Sequence, residues 1–459
     1  MRKIYLSTFV TIFCCLVAHV QSATVECSNP PPGVQKLVRG VDITRLDMVP
    51  MQIIGSNGFM SPVLSFTCNS GRTWRSPSGS QYELPDQVWH MTTLPSGWLS
   101  AEATLYKSYE DIRRSMTTEV GGSGSIWKFA FSASNNYMKF QNTIANNSRF
   151  ISVVSAFESA TRVDFNPSWV LELDRFAAMF IERRISGTFE SNPAAYNRFI
   201  EIFGTHYLST GQFGGYIRVS YETSSSYFYS KSDTEVKINA KASFLKIVSA
   251  NGGSVSGSTT VDSRFTSESI ETVRYFGGNT NLLSQSGITS WQPTVDADPW
   301  PFSGILTPIS DLISTDETKR VSMVKAVNNH VMKSHLDELD RLVRTAQSKF
   351  GNPVLDTLLN RINAQKIKAI LVESEVESLS QDVALQLIVP EWFRTNTQLC
   401  YKWRADGDGG QCGGGAANLL CATPNLMTPF YRDDSDRRGG GCRMQWGIHP
   451  AGFPLGLTK

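Results

Sequence analysis

Two runs of alternating apolar and polar side chains lie within residues 234–266, on either side of the turn-forming residues 249–253. Successive side chains of a β-strand point to opposite faces, so each run predicts a strand with one apolar and one polar face. Each run is close to the roughly 9–11 residues with which a tilted strand crosses a bilayer. The pattern therefore predicts a membrane-inserting β-hairpin. Its lipid-facing residues are Val236, Ile238, Ala240, Ala242, Phe244, Val255, Val261 and Phe265, and its water-facing residues include Lys237, Lys241, Ser256 and Thr260.

The first run has a helical period as well. Apolar residues recur at every fourth position, at Val236, Ala240, Phe244 and Val248. Such spacing places side chains on one face of an α-helix. An ordinary hairpin with one face on a core explains the alternation, but it does not explain the helical spacing. Both a strand and a helix are therefore open for this run.

A second candidate hairpin lies upstream, next to the glycine-rich residues 121–125. After these glycines, Trp127, Phe129 and Phe131 alternate with small or polar residues. The run before the glycines alternates less regularly and contains several charges. Arg or Lys on a lipid-facing strand costs about 2–4 kcal/mol at the bilayer midplane. Those charges are therefore expected in a lumen, near the interface or outside the membrane.

Between the two candidate hairpins lies the run Phe203, Gly204, Thr205, His206 and Tyr207, followed by Gly214 and Gly215. This run resembles the signature of the membrane attack complex/perforin (MACPF) family. The family motif usually begins with Tyr, so Phe203 keeps the aromatic ring and lacks the hydroxyl group. In the family, the motif lies between two clusters that are helical in the soluble protein and form transmembrane hairpins on the membrane. The resemblance therefore accounts for both periods of the first run.

Three further segments extend the resemblance. Residues 39–44 resemble the opening strand of the family, residues 274–278 its strand after the second cluster, and residues 308–313 its closing segment. The resemblance implies an α+β fold, in which a bent central antiparallel sheet is flanked by the two helical clusters. We place this MACPF domain at residues 23–315.

Two expectations concern individual residues of these segments. His206 is expected to make structural hydrogen bonds rather than to transfer protons. Gly214 and Gly215, with Gly277 and Gly278, are either plain turn residues or positions where the sheet bends, because adjacent glycines relax the restraints on the backbone. We expect the second role, that of a hinge.

The N-terminus predicts secretion. Arg2 and Lys3 precede an apolar run over residues 4–20, and small residues follow it, which is typical of a signal peptide. We expect residues 1–22 to be removed by cleavage after Ser22. An uncleaved anchor is the alternative, but the apolar run is short for a membrane-spanning helix. The mature protein is therefore expected outside the cell, until it inserts into the membrane of a target cell.

Cysteine usage agrees with an exported protein. Cys27 and Cys68 lie near the start of the mature chain, and we pair them because the others are grouped far away. The four others allow three connectivities, which stay open: Cys400, Cys412, Cys421 and Cys442. A zinc site is the alternative, but the chain has no Cys-x-x-Cys spacing.

The composition argues against other classes of function. Lys and Arg number 43 against 41 for Asp and Glu, so the nearly neutral chain has no electrostatic preference for nucleic acid or for a strongly anionic membrane. Its sequence contains no His-Glu-x-x-His, Gly-x-Ser-x-Gly or phosphate-binding loop. We therefore expect no enzymatic activity and no nucleic-acid partner. The choice of membrane must come from a specific contact with a lipid or a receptor.

Two regions follow the expected MACPF domain. Residues 316–390 are charged and have leucine stripes of helical spacing, which predict a helical extension that packs on the core or joins it to the tail. Pro390 marks the start of a cysteine-rich C-terminal domain over residues 391–459. Its end resembles that of the apextrin C-terminal domain of invertebrates. Aspartates of this tail could bind calcium, although neighbouring arginines could equally neutralise them, and we expect no other metal or cofactor.

Together these features favour a secreted pore-forming protein, a cytolysin or defence effector. The resemblance implies that monomers bind a target membrane, form a homo-oligomeric ring or arc, and insert their hairpins into a shared barrel. Insertion must be collective, because a lone hairpin leaves unpaired backbone groups in lipid. A non-lytic family member that acts in adhesion, development or as a carrier is the alternative. The charged first hairpin favours it, as does a glycosylation sequon at Asn146, which we expect just beyond the inserted part.

Overall fold

The computed structural model describes residues 25–48, 51–52, 59–94, 101, 103–106, 126–127, 129–130, 149–253, 257–350, 353–394, 398–405, 420–422 and 442–449. Its strands are β1 (Arg39–Val41), β2 (Asp47–Met48), β3 (Met51–Gln52), β4 (Phe59–Pro62), β5 (Thr73–Arg75), β6 (Gln81–Glu83), β7 (Val88–Thr93), β8 (Ala103–Tyr106), β9 (Arg149–Phe165), β10 (His206–Ser224), β11 (Ser269–Phe276), β12 (Trp300–Pro308), β13 (Gln398–Ala405), β14 (Leu420–Ala422) and β15 (Cys442–His449). Its α-helices are α1 (Pro32–Leu37), α2 (Arg175–Arg183), α3 (Pro193–Phe203), α4 (Ser225–Tyr229), α5 (Asp233–Ala250), α6 (Ser263–Glu268), α7 (Asn281–Ser286), α8 (Ile288–Val295), α9 (Glu317–Phe350), α10 (Pro353–Lys366) and α11 (Glu373–Arg394). Short 3-10 helices lie at Ser168–Val170 and Ile309–Leu312.

An antiparallel sheet of eight strands forms the centre of the described structure, with β9 and β10 as its two long strands. These strands pair with each other from Thr210 opposite Asp164 to Ser224 opposite Arg149. On the outer side of β10, β12 pairs with its first half and β11 with its second half. On the outer side of β9, β7 and β8 divide that strand in the same way. The predicted α+β class with a large antiparallel sheet is confirmed.

Along the sheet, the outer partner of β10 changes from β12 to β11, and that of β9 changes from β7 to β8 at the same level. The predicted glycine pairs lie at this level. β10 shifts its register against β9 between Phe213 and Gly215. Gly277 follows β11 with a φ of +79°, a left-handed conformation that favours glycine. A Cβ atom on Gly277 would lie 2.4 Å from the carbonyl oxygen of Gly214, and one on Gly215 would lie 2.4 Å from the Trp291 ring. Close packing alone explains these glycines, so their role as a hinge stays a prediction.

The helices α9, α10 and α11 belong to the same hydrophobic core as the sheet. Their buried side chains in this core include Met323, Leu336, Leu355 and Leu379. Asn329 of α9 holds the turn before α11, because its side chain accepts a hydrogen bond from the backbone N–H of Leu371 at 2.9 Å. The charged region after residue 315 therefore packs against the sheet domain as helices.

The C-terminal tail forms a separate three-stranded sheet in the order β14, β13, β15. The helix before it, α11, continues through Pro390 and ends at Arg394. The predicted domain boundary at residue 390 therefore lies within the last turns of this helix. A proline in the last turns of a helix removes a single backbone hydrogen bond, and the earlier turns of α11 are anchored in the core.

Candidate functional site

The second cluster, residues 225–268, connects β10 to β11 and contains α4, α5 and α6. Its longest helix, α5, begins at a capping box formed by Ser232 and Glu235. The Ser232 hydroxyl accepts a hydrogen bond from the Glu235 backbone N–H, and the Glu235 carboxylate accepts one from the Ser232 backbone N–H. Two N–H groups that a helix start leaves unpaired are satisfied in this way. Of the two periods of the first run, this structure therefore adopts the helical one.

The helix α5 buries the residues with four-residue spacing. Their side chains face the core, where α5 packs against β8 and β9: Val236, Ala240, Phe244 and Val248. Ala242 is buried as well, whereas Ile238 is 58% exposed. A strand would place Val236 and Ile238 on one face, but on this helix only Val236 reaches the core. Ile238 is therefore a predicted lipid-facing residue that the folded protein leaves at its surface.

The second run is not a strand in this structure. Residues 257–262 have no regular structure, and α6 follows them. Val261 is half-buried against the core, and the buried Phe265 ring lies 5.3 Å from that of Tyr221 and 5.7 Å from that of Tyr227. Two predicted hairpin residues lie outside the described residues, Val255 and Ser256. The predicted hairpin is thus folded as helix and loop, which is the form that the family resemblance implies before insertion.

A group of polar side chains joins the start of α5 to the segment before α6. We call it the polar clasp, and it consists of Tyr227, Lys231, Glu235, Asn239 and Asp262. Asn239 makes three contacts: its Oδ1 accepts from the Asp262 N–H at 2.8 Å, and its Nδ2 donates to the Glu235 carbonyl at 2.9 Å and to the Tyr227 hydroxyl at 3.2 Å. Lys231 Nζ lies 3.6 Å from the Glu235 carboxylate and 3.4 Å from that of Asp262.

Hydrogen bonds from the backbone keep the carboxylates of the clasp ionised. The Ser232 N–H lowers the pKa of Glu235, and the Arg264 N–H lowers the pKa of Asp262. Lys231 lowers both further. Sequence reasoning missed this clasp. The spacing of Ser232 and Glu235 was a readable capping signal, but nothing in the sequence indicated that Asn239 would contact Asp262.

The first cluster comprises residues 107–148, of which the structure describes residues 126–127 and 129–130. Residues 126–127 and 129–130 have helical conformation instead of the alternating strand that the sequence predicts for the inserted state. The Trp127 ring lies 5.4 Å from the His206 ring, and the Phe129 ring lies 5.1 Å from the His335 ring. Two aromatic residues predicted to enter lipid are therefore buried against histidines of the core. Two predicted residues of this cluster lie outside the described residues, Phe131 and Asn146.

The predicted motif forms the end of α3, the start of β10 and the contact of β10 with β1. Gly204 has a φ of +85°, and a Cβ atom there would lie 2.7 Å from the backbone of Val41. Only glycine fits this conformation and this space. Thr205 joins the start of β10 to residues 41–43, because its hydroxyl donates to the Val41 carbonyl at 3.0 Å and accepts from the Ile43 N–H at 3.1 Å. Phe203 is buried at the end of α3.

His206 is buried and uncharged at neutral pH. Its side chain is 3% exposed, and its Nδ1 lies 3.0 Å from the Thr205 hydroxyl oxygen. Burial lowers the pKa of His206 to about 3, although the negative charge of Asp42 acts in the opposite direction. Burial also raises the pKa of the adjacent Tyr207. A ring in this environment suits packing and hydrogen bonding rather than proton transfer.

Sequence reasoning missed a buried carboxylate beside the motif. Asp42, which is 1% exposed, accepts hydrogen bonds from the backbone and hydroxyl of Thr44 at 3.0 and 2.8 Å. Its Oδ2 lies 3.1 Å from Nε2 of His330 in α9, 288 residues further along the chain. Burial alone would raise the pKa of Asp42, but the bonds with His330 and Thr44 outweigh it and lower the pKa. Asp42 thus connects β1 to α9, and no local pattern indicated that partner.

Comparison with known proteins identifies the family. The sequence profile of the MAC/Perforin domain matches residues 29–339, which is more than half of the chain. The chain belongs to the MAC/Perforin family. The match includes part of α9, a helix that packs on the MACPF core, and so runs beyond residue 315, the predicted end of the domain.

Two curated relatives extend the MACPF similarity over nearly the whole chain. The chain is 35% identical over 437 residues to the perivitellin-2 67 kDa subunit of Pomacea canaliculata, which covers 95% of this chain and 76% of the relative. The same subunit of Pomacea maculata is 35% identical over 436 residues, with the same coverage. These relatives therefore share the region after the MACPF domain as well.

Solved structures with a similar fold are more distant in sequence. GNIP1Aa from Chromobacterium piscinae has a TM-score of 0.48 at 18% identity, over 67% of this chain and 57% of that chain. Astrotactin-2, described as a vertebrate-specific, perforin-like membrane protein, has a TM-score of 0.35 at 12% identity, over 65% of this chain and 46% of its own. The chain thus spans little more than half of the first of these structures and less than half of the second.

The cysteines of the predicted disulfides of this MACPF protein lie towards the two ends of the chain. Cys27 and Cys68 form a disulfide, with their Cα atoms 5.0 Å apart. In the tail, Cys400 lies opposite Cys421 between β13 and β14, and Cys442 begins β15. Cys412 and the aspartates considered for calcium lie outside the described residues. Within the part that the structure describes, no group of His, Cys, Asp and Glu is placed to hold a metal ion.

The helices of the described chain were compared with the requirements of a membrane-spanning helix. None of them combines the length and the apolar character that a membrane-spanning helix needs. Even α9, with 34 residues, has charged side chains interspersed among its apolar ones along its length.

Proposed function

We propose that this protein is a secreted pore former, which oligomerises on a target membrane and inserts both clusters as amphipathic β-hairpins. The observation that carries this proposal is the connectivity of the clusters. Residues 107–148 join β8 to β9, and residues 225–268 join β10 to β11, and each pair consists of neighbouring antiparallel strands. The pair of Thr223 and Ser269 directly adjoins the second cluster. A cluster that changes from helix to strand therefore prolongs two existing strands and forms a hairpin.

The second cluster has the length and the pattern for this change. On either side of the turn at residues 249–253, the arms are residues 225–248 and residues 254–268. Each is longer than the about 9–11 residues needed to cross a bilayer. In strand conformation, the buried residues of α5 with even numbers share one face with Ile238, whereas Leu245 and Ile247 lie on the other face. The apolar surface that leaves the core on release enters lipid on insertion, so the loss of burial is recovered.

Assembly and secretion have separate support. Proteins of this family typically act on membranes and oligomerise. An open hairpin edge in lipid leaves unpaired N–H and C=O groups, each at a cost of several kcal/mol, so insertion favours closure by several copies. The Pomacea relatives are named as subunits, which supports an assembled state. The Cys27–Cys68 disulfide supports passage through an oxidising compartment. The proposal contains no catalytic step.

Two neighbouring residues of α5 provide the sharpest test. Ile238 and Lys237 are both exposed on the helix, but they lie on opposite faces of the proposed strand. We expect Ile238→Asp to abolish dye release from liposomes, because every subunit would place a carboxylate in lipid. Lys237→Asp should still release dye, because the same carboxylate would face water. Ion selectivity of its pores should change, as it should for Lys241→Gln.

The controls for this pair are thermal melting and membrane binding. Both variants should have the melting temperature of the parent, since neither side chain belongs to the core. If both release dye like the parent, α5 does not line a barrel and the proposal fails. If the folded parent releases no dye from any membrane that it binds, the non-lytic alternative is correct.

A further inference from the structure

Two buried histidines support the described aromatic residues of the first cluster. His206 lies at the start of β10 and His335 in α9, and their side chains are 3% and 4% exposed. The Trp127 ring covers His206 at 5.4 Å, and the Phe129 ring lies against His335 at 5.1 Å. We call these four residues the histidine latch. Through it, Trp127 and Phe129 contact the core.

The groups around His206 do not favour a charged ring. Its Nδ1 contacts the neutral hydroxyl of Thr205. Among the described residues, the carboxylate that acts on His206 is that of Asp42. Its oxygens are already engaged by Thr44 and His330 and by Arg45 at 3.3 Å. The Trp127 ring contacts the imidazole as well. In the part of the chain that the structure describes, no carboxylate is hydrogen-bonded to the buried His206 ring, so a proton there would lack a directly paired negative charge.

The second histidine of the latch has a similar setting. Nε2 of His335 bonds the hydroxyl of Ser380 in α11. The carboxylate one turn further along α9, that of Glu338, forms an ion pair with Arg341 at 2.6 Å. His335 thus contacts a hydroxyl group of α11 and the Phe129 ring.

We propose that the histidine latch is an acid-sensitive switch, in which protonation of His206 favours release of the described part of the first cluster from the core. This inference rests on the proposed function, since it names the condition that starts conversion of that cluster. Withdrawal of Trp127 opens His206 to water, where its charged form is hydrated. The released state thus takes up a proton that the latched state excludes.

The sign and range of the effect follow from His206. Burial lowers its pKa to about 3, while a hydrated histidine has a pKa near 6.5. The latch is therefore strongest above about pH 6.5. Below that value, its equilibrium constant for closing falls about tenfold for each pH unit, down to about pH 3. Between pH 7 and pH 5, the open fraction should rise about 25-fold from this one group.

Hydrogen exchange of the whole chain in solution, without membranes, tests the latch independently of pore formation. Exchange of a peptide that contains residues 126–130 is measured from pH 7 to pH 5 and divided by the intrinsic rate at each pH. A peptide from α3 serves as the reference. We expect the corrected opening of the first peptide to rise at least tenfold while that of α3 does not change. An unchanged first peptide overturns the proposal.

A matched pair of variants assigns the effect. His206→Phe keeps a ring beneath Trp127 and cannot be protonated, so the rise should fall below about threefold. His90→Phe replaces an exposed histidine of β7 and should retain the full rise. If His206→Phe keeps the full rise, His206 is not the switch. Should His206→Phe fail to fold, Trp127→Ala tests the same contact, because its peptide should already be open at pH 7 and respond little to acid.

Dye release at pH 7 and pH 5 separates this inference from the proposed function. Acid opening without dye release from any membrane leaves the switch intact and refutes the pore. Dye release without acid opening refutes the switch and leaves the pore intact. The range above pH 5 also spares the polar clasp, because the pKa values of Glu235 and Asp262 lie below their usual 4.5 and 3.8.

Discussion

The two clusters are held to the sheet by different chemistry. The second cluster presents an apolar helix face to the core and closes a polar clasp at the surface, whose ions are charged at neutral pH. The described part of the first cluster places aromatic rings on buried histidines, and burial keeps His206 uncharged. A surface clasp of ions resists mild acid, whereas a buried base is weakened by it. The clusters are therefore expected to respond to different triggers, although both connect neighbouring strands of one sheet.

The largest effect should come from the apolar face of the second cluster. Phe244 is fully buried in α5, and Phe244→Ala should lower the free energy of unfolding by about 3–5 kcal/mol, through lost burial and a cavity. Chemical denaturation measures this. Phe176→Ala is the control, because that ring is 64% exposed on α2 and its removal should change the free energy by less than about 0.5 kcal/mol. Equal effects of the two variants would mean that α5 is not held by its apolar face.

A smaller effect is expected from the clasp. Asn239→Ala removes the partner of the Asp262 N–H and a contact of the Tyr227 hydroxyl, and should weaken the second cluster by about 1–3 kcal/mol. Hydrogen exchange of α5 should rise accordingly, while that of residues 126–130 should not. Lys237→Ala, an exposed change on the same helix, is the control and should leave both peptides as in the parent. A rise in both peptides would show that the two clusters open together, which would break the comparison.

The smallest effect is the response of the second cluster to mild acid. Hydrogen bonds from Ser232, Arg264 and Ser224 lower the pKa values of Glu235, Asp262 and Glu268, respectively. The ionised carboxylates therefore stabilise the second cluster fully above the usual carboxylate pKa. This stabilisation is lost only as the pH falls through the lowered pKa values. Corrected exchange of α5 should not change between pH 7 and pH 5 and should increase below about pH 4. An increase of α5 exchange already at pH 6 would contradict the distinction between clasp and latch.

Prediction from sequence succeeded where the signal was local. The helical spacing of the first run, one of the two periods left open, marks residues that α5 buries, among them Phe244. The capping pair Ser232 and Glu235 was an equally local signal, but the start of the helix was not predicted from it. The glycine of the motif, Gly204, is required by its own left-handed backbone as well as by the approach of Val41. The helix α11 continues through Pro390, which the sequence suggested as a domain boundary, and its earlier turns have contacts in the core that no local pattern indicated.

By itself, the sequence determined the family, the α+β class and the two segments whose alternation suits lipid, because motif and alternation depend on neighbouring positions. Only the tertiary structure decided that the first run of the second cluster is a helix, since both periods are present and contacts with β8, β9 and Asp262 select one. It also decided that Ile238 is exposed, that Asp42 reaches His330, and that Trp127 covers His206. Such partners are far apart along the chain, and only packing of the whole fold brings them within the few ångströms over which hydrogen bonds and ring contacts act.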